Sequence, residues 1–90
     1  MFFSISEVEL ALKRELKSEN KFSLQKGKNY LDICHEGKKK RLYLSDDGKI
    51  TRTEFILPEN VPEMDFLMFR ITVVKIINRV TAKLLESSFG

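Results

Sequence analysis

The chain has 90 residues, of which 42% are hydrophobic and 32% charged, and its formal net charge at pH 7 is +3. This length predicts one globular domain, residues 1–90, and the composition excludes an intrinsically disordered chain. Because Cys34 and His35 are the only cysteine and the only histidine, a disulfide framework and a closed zinc site within one chain are also excluded.

The compartment predicted by these features is the cytoplasm. A single cysteine is typical of a reducing environment. The opening segment MFFSIS lacks the basic n-region of a signal peptide, and the apolar runs of the chain are too short to span a membrane. We therefore expect a cytoplasmic protein without a membrane partner.

The positive charge is concentrated in the middle of the chain. Residues 21–52 carry nine cations and four acids, a net charge of +5, whereas residues 1–20 and 53–90 each have a net charge of −1. A localised basic surface favours polyanions such as nucleic acid. A solubilising surface would have the same composition, so charge alone leaves both interpretations open.

Residues 1–20 predict an N-terminal helix. Ser6 and Glu9 have the spacing of a capping box, and Ile5 and Leu10 occupy the positions of a hydrophobic staple. An apolar stripe follows at helical spacing and consists of Val8, Ala11, Leu12 and Leu16. The polar segment SENK predicts that the helix ends near residue 19.

Residues 21–58 predict a sheet of four strands. Alternating apolar residues are separated by the turn segments KGKN, EGK and DDGK. Because the turns are short, the strands should form an antiparallel meander. The predicted strands are Phe22 to Gln25, Tyr30 to His35, Lys40 to Ser45 and Lys49 to Leu57.

Residues 59–90 predict a long helix from about residue 62 to 86. Many of the residues between 69 and 77 are β-branched, which favours a strand. A helical stripe that includes Phe66, Phe69, Val73 and Ile76, without an internal Gly or Pro, favours the helix. A second apolar stripe on this helix has to be covered either by the first helix or by a second subunit. We therefore expect a homodimer interface, which consists of Leu67, Ile71, Val74 and Leu85.

The predicted fold class is therefore α+β, with the order α-β-β-β-β-α and the long C-terminal helix packed on one face of the sheet. No set of acid, base and nucleophile emerges from the pattern, and we expect no catalytic residue, cofactor or metal site. Cys34 and His35 are adjacent in a strand and should point to opposite faces. The DDGK segment lacks the later ligands of a calcium loop.

The outer face of the sheet carries the remaining chemistry. Two tyrosines among cations on a strand surface can stack bases and contact phosphates of single-stranded nucleic acid. Tyr and Arg are also common on exposed strands without any ligand. The predicted nucleic-acid-binding residues are Lys28, Tyr30, Lys38, Lys39, Lys40, Arg41, Tyr43 and Arg52, with Lys38 to Arg41 forming a phosphate-holding turn.

About sixty percent of the chain, from Gly27 to Val80, resembles a repeat of the Pur-alpha (PUR) family, and the bacterial single-repeat members are most similar at the C-terminal end. The resemblance lies in YLDI at 30–33, a turn with glycine and lysine, RLYL at 41–44, FILPENVPEMDFL at 55–67 and FRITVVKIINRV at 69–80. It implies a curved four-stranded antiparallel sheet followed by one helix, binding of single-stranded DNA or RNA, and homodimerisation.

The turn between the second and third strands departs from the family pattern. That pattern implies Asn, Lys-Gly and Arg before an aromatic residue. Here Lys38 matches the Lys and Lys40 stands in place of the Arg, while Glu36, Lys39 and Arg41 replace the Asn, the Gly and the aromatic residue. The N-terminal helix lies outside the repeat pattern, and it either caps the sheet or occludes the binding face.

The predicted function is non-enzymatic, regulatory binding of single-stranded DNA or RNA. The alternative is a small protein-interaction module or inhibitor that acts through the second helix stripe. Binding of double-stranded RNA would favour a basic start to the last helix, whereas this helix begins with Glu63 and Asp65.

Overall fold

The protein folds as a four-stranded antiparallel sheet with two helices. The structure is a computed structural model, which describes residues 4–89 and the side chains as far as residue 87. Residues 1–3, which begin the MFFSIS segment, and residue 90 lie outside this range. The predicted α+β class and the order α-β-β-β-β-α are confirmed. The elements are α1 Ile5–Leu16, β1 Phe22–Lys26, β2 Tyr30–His35, β3 Lys38–Leu44, β4 Ile50–Ile56 and α2 Glu63–Phe89.

Helix α1 begins two residues earlier than predicted. Ser4 is the N-cap: its Oγ accepts a hydrogen bond of 3.1 Å from the Glu7 N–H, and Glu7 Oε1 accepts one of 3.4 Å from the Ser4 N–H. The predicted box at Ser6 and Glu9 is therefore wrong. The two Ser–Glu pairs have the same spacing, and only the structure distinguishes them. The helix also ends earlier, at Leu16.

The strands form a meander in the order β1-β2-β3-β4. The predicted bounds of β2 are confirmed, β1 ends one residue later than predicted, and β4 is one residue shorter than predicted at each end. Strand β3 begins two residues early, at Lys38, because a two-residue turn suffices between β2 and β3. Glu36 and Gly37 have φ values of 48° and 81°, as a tight hairpin turn with two positive φ angles requires.

The core lies between one sheet face and α2, and we call this face the inner face. Alternate residues of β2 and β3 point inward and are buried, and so is one stripe of α2. Helix α2 is 27 residues long, about 40 Å. The segment 69–77 is therefore helical, as the spacing of its apolar residues predicts, although many of its residues are β-branched. The buried residues are Leu31, Ile33, Leu42 and Leu44 from the sheet and Phe69, Val73, Ile76 and Val80 from α2.

Helix α1 packs on the same side of the sheet as α2. Its Val8, Leu12 and Leu16 join the core cluster. Buried Glu15 accepts a hydrogen bond of 2.7 Å from Lys83 Nζ and lies 3.5 Å from Arg79 of α2. The hydrogen bond from Lys83 lowers the pKa of Glu15, burial opposes this, and the charges of Lys83 and Arg79 add to the lowering. Helix α1 therefore caps the core and leaves the other sheet face open.

None of the helices within residues 4–89 combines the length and the apolar character needed to cross a membrane.

Candidate nucleic-acid interface

The sheet face opposite the helices, here called the outer face, carries two rows of polar and aromatic side chains. Directly opposed residues of an antiparallel sheet share a face. Tyr30 of β2 is opposite Tyr43 of β3, which is opposite Arg52 of β4. The next row places Asp32, Arg41 and Glu54 side by side. The predicted outer-face positions of these residues are thus confirmed.

Tyr43 and Arg52 form a stacked pair at the open end of the first row. The guanidinium carbon of Arg52 lies 4.2 Å from the centroid of the Tyr43 ring. The Tyr43 hydroxyl donates a hydrogen bond of 2.6 Å to Glu54 Oε1. Arg52 itself is exposed, so its guanidinium plane is accessible to a ligand while the tyrosine ring supports it from below.

Tyr30 is more enclosed than the sequence predicts. The Arg41 guanidinium lies 3.8 Å from its ring centroid, and the Tyr43 ring meets it edge-on at 6.1 Å. Gly27 also touches the ring so closely that a Cβ at this position would lie 2.1 Å from Tyr30 Cζ. The glycine therefore makes room for the ring, and much of the predicted stacking surface is occupied by the chain itself.

Arg41 is held by a carboxylate. Its Nε and Nη2 donate hydrogen bonds of 2.9 and 3.0 Å to the two oxygens of Asp32, which is 1% exposed. These bonds raise the pKa of the Arg41 guanidinium above its usual value. The predicted phosphate contact of Arg41 competes with this pair. The pairing could have been found from the hairpin register, since both residues alternate onto the same face.

The predicted turn of four cations is wrong, because Lys38 to Arg41 all lie in β3 and alternate between the faces. Lys39 and Arg41 are on the outer face, whereas Lys38 and Lys40 are on the inner face opposite His35 and Ile33. Consecutive cations of this segment therefore lie on opposite faces of the sheet. The predicted role of Lys38 and Lys40 beside the outer tyrosines does not agree with this placement.

The two inner lysines pack against aromatic rings. Lys38 is 6% exposed, and its Nζ lies 5.9 Å from the Phe69 ring centroid. Lys40 Nζ lies 3.9 Å from the centroid of Phe55, and burial, together with the charge of Arg70, lowers the pKa of Lys40. Their side chains thus serve packing between the sheet and α2.

Lys28 is exposed in the segment between β1 and β2. It lies close in sequence to Tyr30 and carries no ion pair among the described residues. Lys28, Lys39 and Arg52 are therefore the three predicted binding cations that neither pack under α2 nor pair with a carboxylate.

Cys34 and His35 point to opposite faces, as predicted. Cys34 is opposite Ser23 and Lys39 on the outer face, where burial raises the pKa of its thiol. His35 stacks on Phe22 on the inner face, with ring centroids 4.2 Å apart. Within the described part of the chain, no group of three or more His, Cys, Asp or Glu side chains could hold a metal ion.

The second stripe of α2 is exposed. Leu67, Ile71, Val74 and Leu85 retain 40–55% of their accessible surface, and Met64 and Met68 are still more exposed. These side chains point away from the sheet, since the buried stripe of Phe69, Val73, Ile76 and Val80 occupies the opposite side of the helix. The predicted dimer interface is thus accessible, and its partner remains a prediction.

An apolar cleft lies on the helix side of the molecule. Its volume is about 440 Å³, and it is bounded by α1, α2 and the turn between β3 and β4. Core side chains such as Leu12 and Val80 form its floor, and Lys49 and Thr81 are its polar residues. It holds no arrangement of acid, base and nucleophile, and it does not reach the outer face.

Comparisons of the chain with protein-family models, with curated proteins and with solved structures find no match. The similarity to the PUR repeat therefore rests on the quoted motifs alone. Four antiparallel strands followed by a long helix have the order which that similarity implies, but a fold by itself does not assign a function.

Proposed function

We propose that the protein binds single-stranded nucleic acid on the outer face of its sheet, without catalysing a reaction. The observation that carries this proposal is the exposed Arg52 guanidinium supported on the ring of Tyr43, at 4.2 Å, on a sheet face that neither described helix covers. Single-stranded bases stack on guanidinium planes as well as on aromatic rings, and here Arg52 presents the plane while the Tyr43 ring supports it.

The phosphate contacts come from cations around this stacked pair. Lys39 lies on the same face, and Lys28 lies at the end of the sheet near Tyr30. Both lack a carboxylate partner among the described residues, so they can neutralise phosphates without first breaking an ion pair. Backbone phosphates contribute affinity that does not depend on base sequence.

The preferred ligand is single-stranded rather than double-stranded. A sheet face with stacking groups needs unpaired bases, whereas duplex readout needs an element that enters a groove. Within α2 the N-terminal turn carries the acids Glu63 and Asp65, which repel phosphates. The helix that could enter a groove therefore begins with unfavourable charge.

Fluorescence anisotropy with labelled oligonucleotides tests the proposal. We expect binding of single-stranded DNA or RNA, weaker binding of the matching duplexes, and a loss of affinity in Arg52→Gln. Lys38→Met is the matched control because Lys38 is on the inner face, and it should bind as the unaltered protein does. Equal binding by duplexes, or an Arg52→Gln variant of unchanged affinity, would contradict the proposal.

A second candidate function is protein interaction through α2. The exposed side chains Leu67, Ile71 and Val74 form an apolar surface on the helix side, remote from the outer face. Exposed apolar patches of this kind mark interaction sites. Ile71→Lys should abolish such an interaction and leave oligonucleotide binding unchanged, whereas Arg52→Gln should do the opposite.

A further inference from the structure

Strand β4 is an open edge of the sheet. It is last in the order β1-β2-β3-β4, and no described strand pairs with its outward side. At the other edge, β1 is flanked by α1, and Lys26 lies 3.7 Å from Glu9 of that helix. From Ile50 to Glu54 every residue of β4 is exposed. An edge of this kind can accept another strand.

The sequence of β4, ITRTEFI, is complementary to itself in the antiparallel direction. If two copies pair with Thr53 opposite Thr53 of the second copy, Arg52 of each lies opposite Glu54 of the other. Both charges are on the outer face, since they share rows with Tyr43 and Arg41. Opposite charges at directly opposed positions stabilise a strand pair.

Neighbouring registers lack this complementarity. When the outer faces of the two copies stay on the same side of the sheet, the pairing changes in steps of two residues. One such step places Arg52 opposite Arg52, and a step the other way places Glu54 opposite Glu54. Like charges directly opposed destabilise the pair. The charges therefore select one register as well as one partner.

We propose that β4 pairs with β4 of a second copy across a two-fold axis at Thr53, which joins two sheets into one of eight strands. Main-chain hydrogen bonds of the added strand supply the affinity, and the two Arg52–Glu54 pairs supply the specificity. Such an interface is isologous and closes at a dimer. It differs from the predicted interface on α2, which lies on the helix side.

One consequence concerns the outer face, and it rests on the proposed function. The joined sheet carries two Tyr43–Arg52 pairs, and its two Tyr43 residues are separated by three strand spacings, about 14 Å across the strands. A single strand of nucleic acid could contact both pairs. Dimerisation through β4 would then lengthen the site that one copy provides.

Cross-linking tests the position of the two-fold axis. In a Cys34→Ser background, Thr53→Cys places two thiols directly opposite each other, 4.5–5.5 Å apart at Cβ. Thr51→Cys is the matched control: Thr51 lies opposite Phe55 of the second copy, so its two thiols are about 13 Å apart along the strands. A short bifunctional thiol reagent should join the two copies of the first variant covalently and leave those of the second without a cross-link. Equal cross-linking of the two variants would overturn the register.

Sedimentation equilibrium with charge-exchanged variants tests the specificity. Arg52→Glu creates two Glu–Glu oppositions and should weaken the dimer about tenfold or more. The double variant R52E/E54R restores two opposite-charge pairs and should restore the dimer. A monomeric protein at all concentrations, or a double variant as weak as the single one, would overturn the pairing.

Experiments can reject the β4 dimer and the proposed nucleic-acid binding independently of each other. If Ile71→Lys abolishes the dimer and Arg52→Glu does not, the α2 stripe is the interface and β4 is not. If the double variant is dimeric and the unaltered protein does not bind oligonucleotides, the β4 interface stands while the nucleic-acid proposal is rejected.

Discussion

Arg41 and Asp32 face each other across β3 and β2, and two hydrogen bonds of 2.9 and 3.0 Å join the guanidinium to the carboxylate. The carboxylate is almost fully buried, whereas the Arg41 side chain keeps 21% of its surface. The same guanidinium also lies 3.8 Å from the Tyr30 ring centroid. This pair therefore fixes the register of the central hairpin and the position of an outer-face aromatic ring.

Asp32→Ala should destabilise the protein. Removing the carboxylate takes away both hydrogen bonds of the Arg41 guanidinium, so the free energy of unfolding should fall by more than the loss of an exposed carboxylate costs. Urea unfolding measures the loss. Glu54→Ala is the matched control, since Glu54 is an exposed carboxylate in the same row and should change the free energy of unfolding by less than ~0.5 kcal/mol. Equal losses would show that the buried pair has no special role.

Lys38→Met should stabilise the protein. Lys38 is 6% exposed, its Nζ lies 5.9 Å from the Phe69 ring centroid, and its ammonium makes no ion pair or hydrogen bond among the described residues. An apolar side chain of similar length loses no polar partner there and buries more apolar surface, so it should raise the free energy of unfolding by about 1 kcal/mol. Lys39→Met, on the outer face, should leave it nearly unchanged. Destabilisation by Lys38→Met would mean that the ammonium is held more favourably than this packing suggests.

Salt dependence should separate the outer cations from the inner ones. Each phosphate contact removed flattens the slope of log affinity against log salt concentration by ~0.7 for a single strand. Lys39→Gln and Lys28→Gln should each flatten the slope by this amount, and Lys38→Met should not change it. Anisotropy titrations between 50 and 300 mM salt measure it. A flatter slope in Lys38→Met would place phosphates on the inner face.

The element order was predictable because each element has a local signal. The alternation in β2 and the helical stripe of α2 each specify a buried face, and the Asp-Gly pair specifies a hairpin. Boundaries were less predictable. The start of α1 was ambiguous because Ser4 and Ser6 are both followed by a glutamate three residues later, and local spacing does not choose between them.

The faces of β2, β3 and β4 were predictable as well, and with the correct hairpin register the Arg41–Asp32 pair was too, but the placement of Lys38 and the enclosure of Tyr30 were not. Lys38 and Lys39 were assigned to a turn because consecutive cations repel, whereas the positive φ angles of Glu36 and Gly37 close the hairpin in two residues. That turn extends β3 by two residues, Lys38 and Lys39, and sends them to opposite faces. The enclosure of Tyr30 depends on Gly27, whose approach to the ring is a tertiary contact that no local pattern records.

Acid should weaken the contact between the two helices. The pKa of Glu15 is below its ordinary value of 4.5, chiefly because Lys83 donates a hydrogen bond to the carboxylate. Its stabilising contribution is therefore complete above pH 4.5 and is lost as the pH falls through the lower pKa of the folded state. Glu15→Gln should cost about 1.5 kcal/mol at pH 7.

The difference between the unaltered protein and Glu15→Gln should shrink as the pH is lowered toward about 3, because protonation removes the same charge. Urea unfolding at several pH values measures this difference. Glu19→Gln is the control: Glu19 makes a more exposed pair with Arg79 at 3.3 Å, and its loss should cost less than ~1 kcal/mol. A constant difference for Glu15→Gln at all pH values would contradict the assignment.

Tyr43 is the residue whose replacement should best separate folding from binding. Its ring supports Arg52 at 4.2 Å, and its hydroxyl donates to Glu54 at the surface. It lies on the outer face, so it is not part of the core between the sheet and α2. Tyr43 is half-buried and contacts Tyr30 and Arg52, so its loss should cost about 1 kcal/mol of unfolding free energy, against about 3–5 kcal/mol for an aromatic residue of the core.

Tyr43→Ala should therefore stay folded, yet lose the stacking platform. A lost base contact costs ~1–3 kcal/mol, which corresponds to an affinity loss of about 5-fold to 150-fold. Tyr43→Phe is the control, because it keeps the ring and removes the bond to Glu54, and it should bind with nearly unchanged affinity. Thermal melting and anisotropy measure the two quantities on the same sample. If Tyr43→Ala unfolds the protein while Tyr43→Phe loses affinity, the hydroxyl and not the ring is what the ligand needs, and the stacking interpretation is wrong.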